Sequence, residues 1–235
     1  MTTWIAAAAV VAVVGGLVAL AAGALRAGAR RTKNLKRFAR AGGLTYRGTV
    51  AGDDRPPWCA HFCLKRMRGG LSEVIAGEWN GVPVTLATFA VLMPGRDTAS
   101  RASVAATEID VPGVPEAQLV RGDTGVMTRE AVAVAAHATG LELVDMDGAH
   151  KDRLVMARAG GAGAVGSFLS GQPDPLANHP HHALAWMDGW LLVFPRDSGA
   201  GVIEFGAVVD REHDIRSLLD ATVALRETVQ AWKAG

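Results

Sequence analysis

Residues Trp4 to Leu25 form a run of 22 positions without a charge, and positions 26 to 40 directly after it hold seven Lys or Arg and no acidic residue. No other feature constrains the fold as strongly. As a helix the run would be about 33 Å long at ~1.5 Å per residue, close to the ~30 Å of a bilayer's hydrocarbon core. Nine alanines and three glycines make it less apolar than a leucine-rich span, so a buried helix and a signal peptide are the competing readings. A secretory signal carries its positive charge before the apolar stretch and a small-residue cleavage site after it, whereas only Met-Thr-Thr precedes this run and the cations follow it. The expectation is therefore a transmembrane anchor over 1–26, with Trp4 at its outer interface, and a basic juxtamembrane helix over 27–42. Lys and Arg flanking a span are retained in the cytoplasm, which places the N-terminus outside the plasma membrane and everything after Arg26 inside. Gly15, Ala19 and Gly23 recur every four residues and are the candidate face for homo-oligomerisation, although an Ala- and Gly-rich stretch produces the same stripe by composition alone.

The formal charge of +1 conceals a division. All 23 acidic residues follow Arg40, against 17 basic ones, so that part of the chain carries −6. A nucleic-acid reader gathers cations on the face that meets phosphates, and an acidic domain whose basic cluster sits beside an apolar run argues against that role. The basic set Arg26, Arg30, Arg31, Lys33, Lys36, Arg37 and Arg40 points instead to the anionic inner leaflet, where each cation near the surface gains ~1 kcal/mol. Two cysteines, Cys59 and Cys63, are too few and too close to staple a domain of this size.

The remainder, 43–235, reads as one soluble α+β domain: a mixed or antiparallel sheet with packed helices. Over 32–48 the pattern predicts a short helix with Leu35 and Phe38 inward, a glycine cap at Gly42 or Gly43, then a strand from Leu44 to Arg47. "SEVIAGEWNGVPVTLATFAVLM" gives two β runs joined by Asn80-Gly81, a pair suited to a type I′ hairpin turn. "ASVAATEIDV" and "EAQLVRG" look like strands separated by Pro112 and Pro115. "TREAVAVAAHATG" has helical composition, "LELVDMD" and "RLVMARA" are strand-like, and "HALAWMDGWLLVFP" is a second hairpin turning at Asp188-Gly189. From about Asp210 a terminal helix presents Ile215, Leu218, Thr222, Leu225, Val229 and Trp232 as one stripe. Each half has a helix ending in Gly, a strand opening Gly-Leu and a hairpin beside a tryptophan, so sub-halves 43–125 and 126–235 could be a pseudo-duplicated α+β unit.

Several patterns invite chemistry, and each has a plainer reading. "GAGAVG", 161–166, satisfies the dinucleotide fingerprint, but Gly171 and Pro173 stop a helix within about two turns, and a flexible linker accounts for it. Cys59, His61 and Cys63, together with His179, His181 and His182, supply thiolates and imidazoles for a tetrahedral metal site. The spacing is not one that structural zinc favours, and a core strand or loop plus a polar turn explains the same residues. Asp145, Asp147 and Asp152 lack the glycine and terminal glutamate of a calcium loop. No nucleophile elbow, zincin or phosphate-loop motif is present, so no cofactor and no metal is expected and the motifs single out no catalytic residue.

The order of apolar anchor, basic helix, "FARAGGLTY", the "VIAGEWNGVPV" hairpin with Gly77, Gly81 and Val84, the "WMDGWLLVFP" hairpin and a terminal amphipathic helix resembles a group of uncharacterised actinobacterial single-pass membrane-anchored proteins. The resemblance implies membrane anchoring and a domain of unknown function, with no activity and no functional residue to carry over. The function expected is a cytoplasm-facing binding or scaffolding domain on a single-pass anchor, with an unidentified protein partner. The alternatives are a membrane-tethered enzyme with a site near Cys59–Cys63 and His179–His182, or an extracytoplasmic domain on an uncleaved anchor.

Overall fold

The computed structural model describes residues 26–64, 67–92, 99–121, 133–134, 136–137, 140–195 and 208–232. Among them no helix is long and apolar enough to cross a membrane. The expected anchor over 1–26 and the Gly15, Ala19 and Gly23 stripe lie outside these residues, apart from Arg26. The fold is α+β, a large antiparallel sheet with packed helices; among the described residues, 133–134 and 136–137 within "TREAVAVAAHATG" are helical as well.

Helix α1 spans 26–41. Its apolar positions recur on one face, so Leu35, Phe38 and Ala39 are all buried against the sheet. It ends as the glycines predict. The Leu44 amide donates to the Ala39 carbonyl and the Gly43 amide to that of Arg40, with Gly43 at φ +69°, which is the double closure of a Schellman motif. The turn delivers Leu44 directly onto Gly77, where a Cβ would lie 2.9 Å from Leu44 Cδ2. Only a residue without a side chain lets the strand approach that closely.

Nine strands follow: β1 (Thr45–Val50), β2 (Met67–Trp79), β3 (Val82–Leu92), β4 (Ala99–Glu108), β5 (Ala117–Arg121), β6 (Leu141–Val144), β7 (Arg153–Arg158), β8 (His182–Met187) and β9 (Trp190–Pro195). They form one sheet in the order β1-β2-β3-β4-β9-β8-β5-β7-β6. Trp79 opposes Val82 across a two-residue turn in which Asn80 and Gly81 take φ +50° and +76°, the mirror-image turn expected from Asn-Gly. Met187 opposes Trp190 across Asp188-Gly189, where only the glycine has positive φ.

Both faces of the sheet are covered. On one, α1, α2 (Ala162–Leu169) and α3 (Glu212–Gln230) pack against Ile75, Val84, Leu86, Leu184 and Val193. On the other, Trp58, Phe62 and Leu64 from a chain of 3₁₀ turns cover Leu71, Phe89, Leu192 and Phe194. Strands β8 and β9 are therefore buried on both sides, which is why "ALAW" and "LLVF" read as unbroken apolar runs rather than alternating ones. The stripe on α3 is buried as its spacing implies, and Trp232 just beyond it meets Trp186 and Phe168 edge-on at 5.3 and 5.6 Å between ring centroids.

One local expectation needs correction. "GAGAVG" is not a linker: Ala162–Leu169 is a two-turn helix, because Val165 and Leu169 gain burial that outweighs the poor helix propensity of its glycines. It follows β7, but among the described residues all the strand pairings are antiparallel, so none of them forms a βαβ unit of the kind a dinucleotide site needs. Strand β5, from the segment 43–125, lies between β7 and β8 of the segment 126–235 and pairs with both.

Candidate functional site

The seven cations of 26–40 do not share one role. Arg31 is turned inward, 8 % exposed, against Glu73 on β2 at 9 %. Its Nη1 lies 3.0 Å from Glu73 Oε2, and its Nη2 donates to Thr88 Oγ1 at 2.7 Å and to the Val209 carbonyl at 3.5 Å. Burial lowers the guanidinium pKa and Glu73 raises it in opposition. Arg101 adds a second ion pair to Glu73 at 3.2 Å from the exposed side. Glu73 itself sits at φ +54°, where the ladder between β1 and β2 slips register, so a bulge aims this carboxylate at α1. The other six cations, Arg26, Arg30, Lys33, Lys36, Arg37 and Arg40, are exposed. At about 100° per residue their mean direction is roughly opposite that of Arg31, Leu35, Phe38 and Ala39. They make one outward cationic stripe.

Cys59, His61 and Cys63 lie in consecutive 3₁₀ turns, not in a strand. His61 is fully buried; its Nε2 is 3.2 Å from the Ala117 carbonyl and 3.9 Å from Glu116 Oε1. Burial pushes the imidazole down to about 4, against the opposing pull of Glu116. Glu116 accepts the Phe62 amide at 2.8 Å and also pairs with Arg158. The Cys59 thiol is pushed up to about 11 by burial, opposed by Arg55, which makes it a poor nucleophile near neutral pH. These turns are a structural plug over the sheet. Among the described residues no group of three His, Cys, Asp or Glu is placed to hold a metal.

His179, His181 and His182 lie over the helix-covered face, whereas the Trp58–Leu64 turns cover the other, so the two loops do not share a site. The histidines form one wall of a cleft of about 570 Å³ whose second wall is α3. On that helix His213, Arg216, Ser217 and Asp220 recur at three- and four-residue spacing along one flank, and the small Ala221 and Ala224 leave the space open. The rings of His179 and His182 meet edge-on at 6.0 Å. His182 Nδ1 is buried, with no hydrogen-bond partner among the described residues. Burial, reinforced by His179 and His181, pushes the His182 imidazole down to about 4, and burial lowers that of His179. Arg216 stacks over Trp79 at 5.3 Å and near Phe38 at 6.0 Å, which holds its guanidinium at the mouth. Asp220 Oδ1 is engaged, accepting from Trp79 Nε1 at 2.7 Å and Asn80 Nδ2 at 3.5 Å.

His179, His181 and His182 stand out in the sequence as metal candidates, whereas the helical wall does not, because it lies on the polar flank of α3 beside the buried stripe. The signal was present in His213, Arg216, Ser217 and Asp220 at helical spacing.

No family model and no curated relative matches this chain. Among solved structures it is similar to the crystal structure of the mycobacterial trehalose monomycolate transport factor A, TtfA, at 15 % identity and a TM-score of 0.45, over 85 % of this chain and 94 % of that one.

Proposed function

We propose that this is a single-pass plasma-membrane protein of the anchored actinobacterial kind it resembles, with its N-terminus outside and an α+β binding or scaffolding domain held against the cytoplasmic leaflet. One observation carries the reading: six exposed cations form a stripe on α1 opposite the face that docks on the sheet, on the helix that follows the apolar run. Because Leu35, Phe38 and the Arg31–Glu73 pair fasten α1 to the domain, the stripe has a fixed orientation relative to the sheet. Lipid attraction of ~1 kcal/mol per cation would then hold the domain flat rather than on a free tether. A polar cleft open beside α1 suits a module that binds near the surface.

Protease protection tests the orientation. In intact spheroplasts a C-terminal tag is expected to resist added protease and become sensitive on lysis. A tag cleaved before lysis would place the domain outside and overturn the proposal. A chain recovered wholly in the soluble fraction would overturn the anchor.

A further inference from the structure

We propose that the cleft between the Asn178–His182 loop and α3 is a binding site for a phosphate-bearing anion. The cleft volume of about 570 Å³ is in the range of small-molecule sites, ~300–1,000 Å³. Its lining is rich in donors. Arg216 offers a planar fork, Ser217 a hydroxyl, and His179, His182 and His213 ring nitrogens from both walls. The single carboxylate in the lining, Asp220, has one oxygen, Oδ1, engaged by Trp79 Nε1 and Asn80 Nδ2, and it is outnumbered by the donors around it. Glu212 reaches Arg216 at 3.5 Å, but both side chains are more than half exposed, so the pair is weak and an incoming anion can displace it. A metal is the rival ligand for clustered imidazoles, and these residues are not placed to hold one. His182 keeps Nδ1 buried without a hydrogen-bond partner among the described residues, so its other ring nitrogen is the one left to meet an anion in the cleft.

The chemistry also predicts a proton linkage. The groups facing the site are His179, His181 and His182 from the loop and His213, Arg216, Asp220 and Glu212 from α3. An anion favours the imidazolium form, so occupancy raises imidazole pKa values, and protons are taken up on binding. Affinity therefore increases as pH falls toward 6. Nothing in this argument depends on membrane anchoring, and a free phosphate compound and a lipid headgroup would present the same chemistry.

The test uses the full chain in a neutral detergent and follows the histidine Cε1–H signals by ¹H–¹³C NMR, with His179→Gln and His182→Gln for assignment. Inorganic phosphate in one arm, and phosphatidylglycerol doped into the micelles in the other, separate the two sources. The expected result is a selective shift of the cleft imidazoles in at least one arm, with their pKa values raised, while those of His61 and His150 stay still. Arg216→Gln should weaken the apparent Kd about tenfold or more, because it removes the charge-assisted fork. Ser217→Glu places a negative charge in the cleft from an exposed helical position that tolerates it, and should abolish the response while the thermal unfolding midpoint is kept. No selective shift in either arm, or a shift that survives Ser217→Glu, would overturn the proposal.

Discussion

Replacing Arg31 with methionine leaves Glu73 buried beside Arg101 alone, whose side chain is about half exposed. Breaking one side of a buried pair is more damaging than removing both, because the survivor keeps its desolvation penalty without its partner. Arg31→Met should therefore cost about 3 kcal/mol by urea unfolding, and the double variant Arg31→Met, Glu73→Met should recover part of that loss. His61 gives a pH test. Its folded pKa of about 4 lies below the ordinary value of 6.5, so between these values the unfolded chain takes up a proton that the folded one excludes. Its stabilising contribution is complete above about pH 6.5 and falls as pH drops toward 4, by ~2 kcal/mol at pH 5. Urea midpoints at pH 7 and 5 should show that loss in the parent, and a smaller one in His61→Gln. Neither role was legible residue by residue. One cation among seven and one histidine in "WCAHFC" have nothing local to mark them as buried, because the partners that decide it, Glu73 and the Ala117 carbonyl, stand far off in sequence.

At the scale of elements, α1 has two faces with separable duties. Leu35→Ala should destabilise by roughly 2–4 kcal/mol, as a truncation in a packed core. Charge reversal at Arg30 and Arg37 should leave stability within about 0.5 kcal/mol, since both are exposed. The same reversal should lower co-flotation with phosphatidylglycerol vesicles relative to zwitterionic ones; unchanged flotation would remove the stripe from the membrane contact. At the β2–β3 turn, Gly81→Ala places a Cβ at φ +76° and should cost about 1 kcal/mol in the same unfolding assay. The turn, the Schellman cap and the α3 stripe were readable because each depends on residues a few positions apart. Helix α2 was not, because Gly163 and Gly166 disfavour a helix locally and only the docking of Val165 and Leu169 reverses that preference.

At the scale of the molecule, one nine-stranded sheet joins everything, with β4, β9 and β8 central and β1 and β6 at the edges. Amides in the central strands should exchange with solvent most slowly and α2 among the fastest, as hydrogen-exchange mass spectrometry would measure. Because β5 is inserted between β7 and β8, the segment 126–235 expressed alone lacks a strand inside its own sheet and should show no cooperative thermal transition. A sharp transition would show that 126–235 folds as a unit of its own. The hairpins, the helix caps, the apolar stripe of α3 and the concentration of cations over 26–40 are written locally in the chain. These follow from backbone conformational preference, periodicity and charge, which act over a few residues. Where β5 inserts, which cation turns inward, that the cysteine and histidine loops cover opposite faces of the sheet, and that α3 supplies the second wall of the histidine cleft emerge with the packed fold. Those outcomes depend on contacts between residues far apart in the chain, where burial and pairing outweigh any local preference.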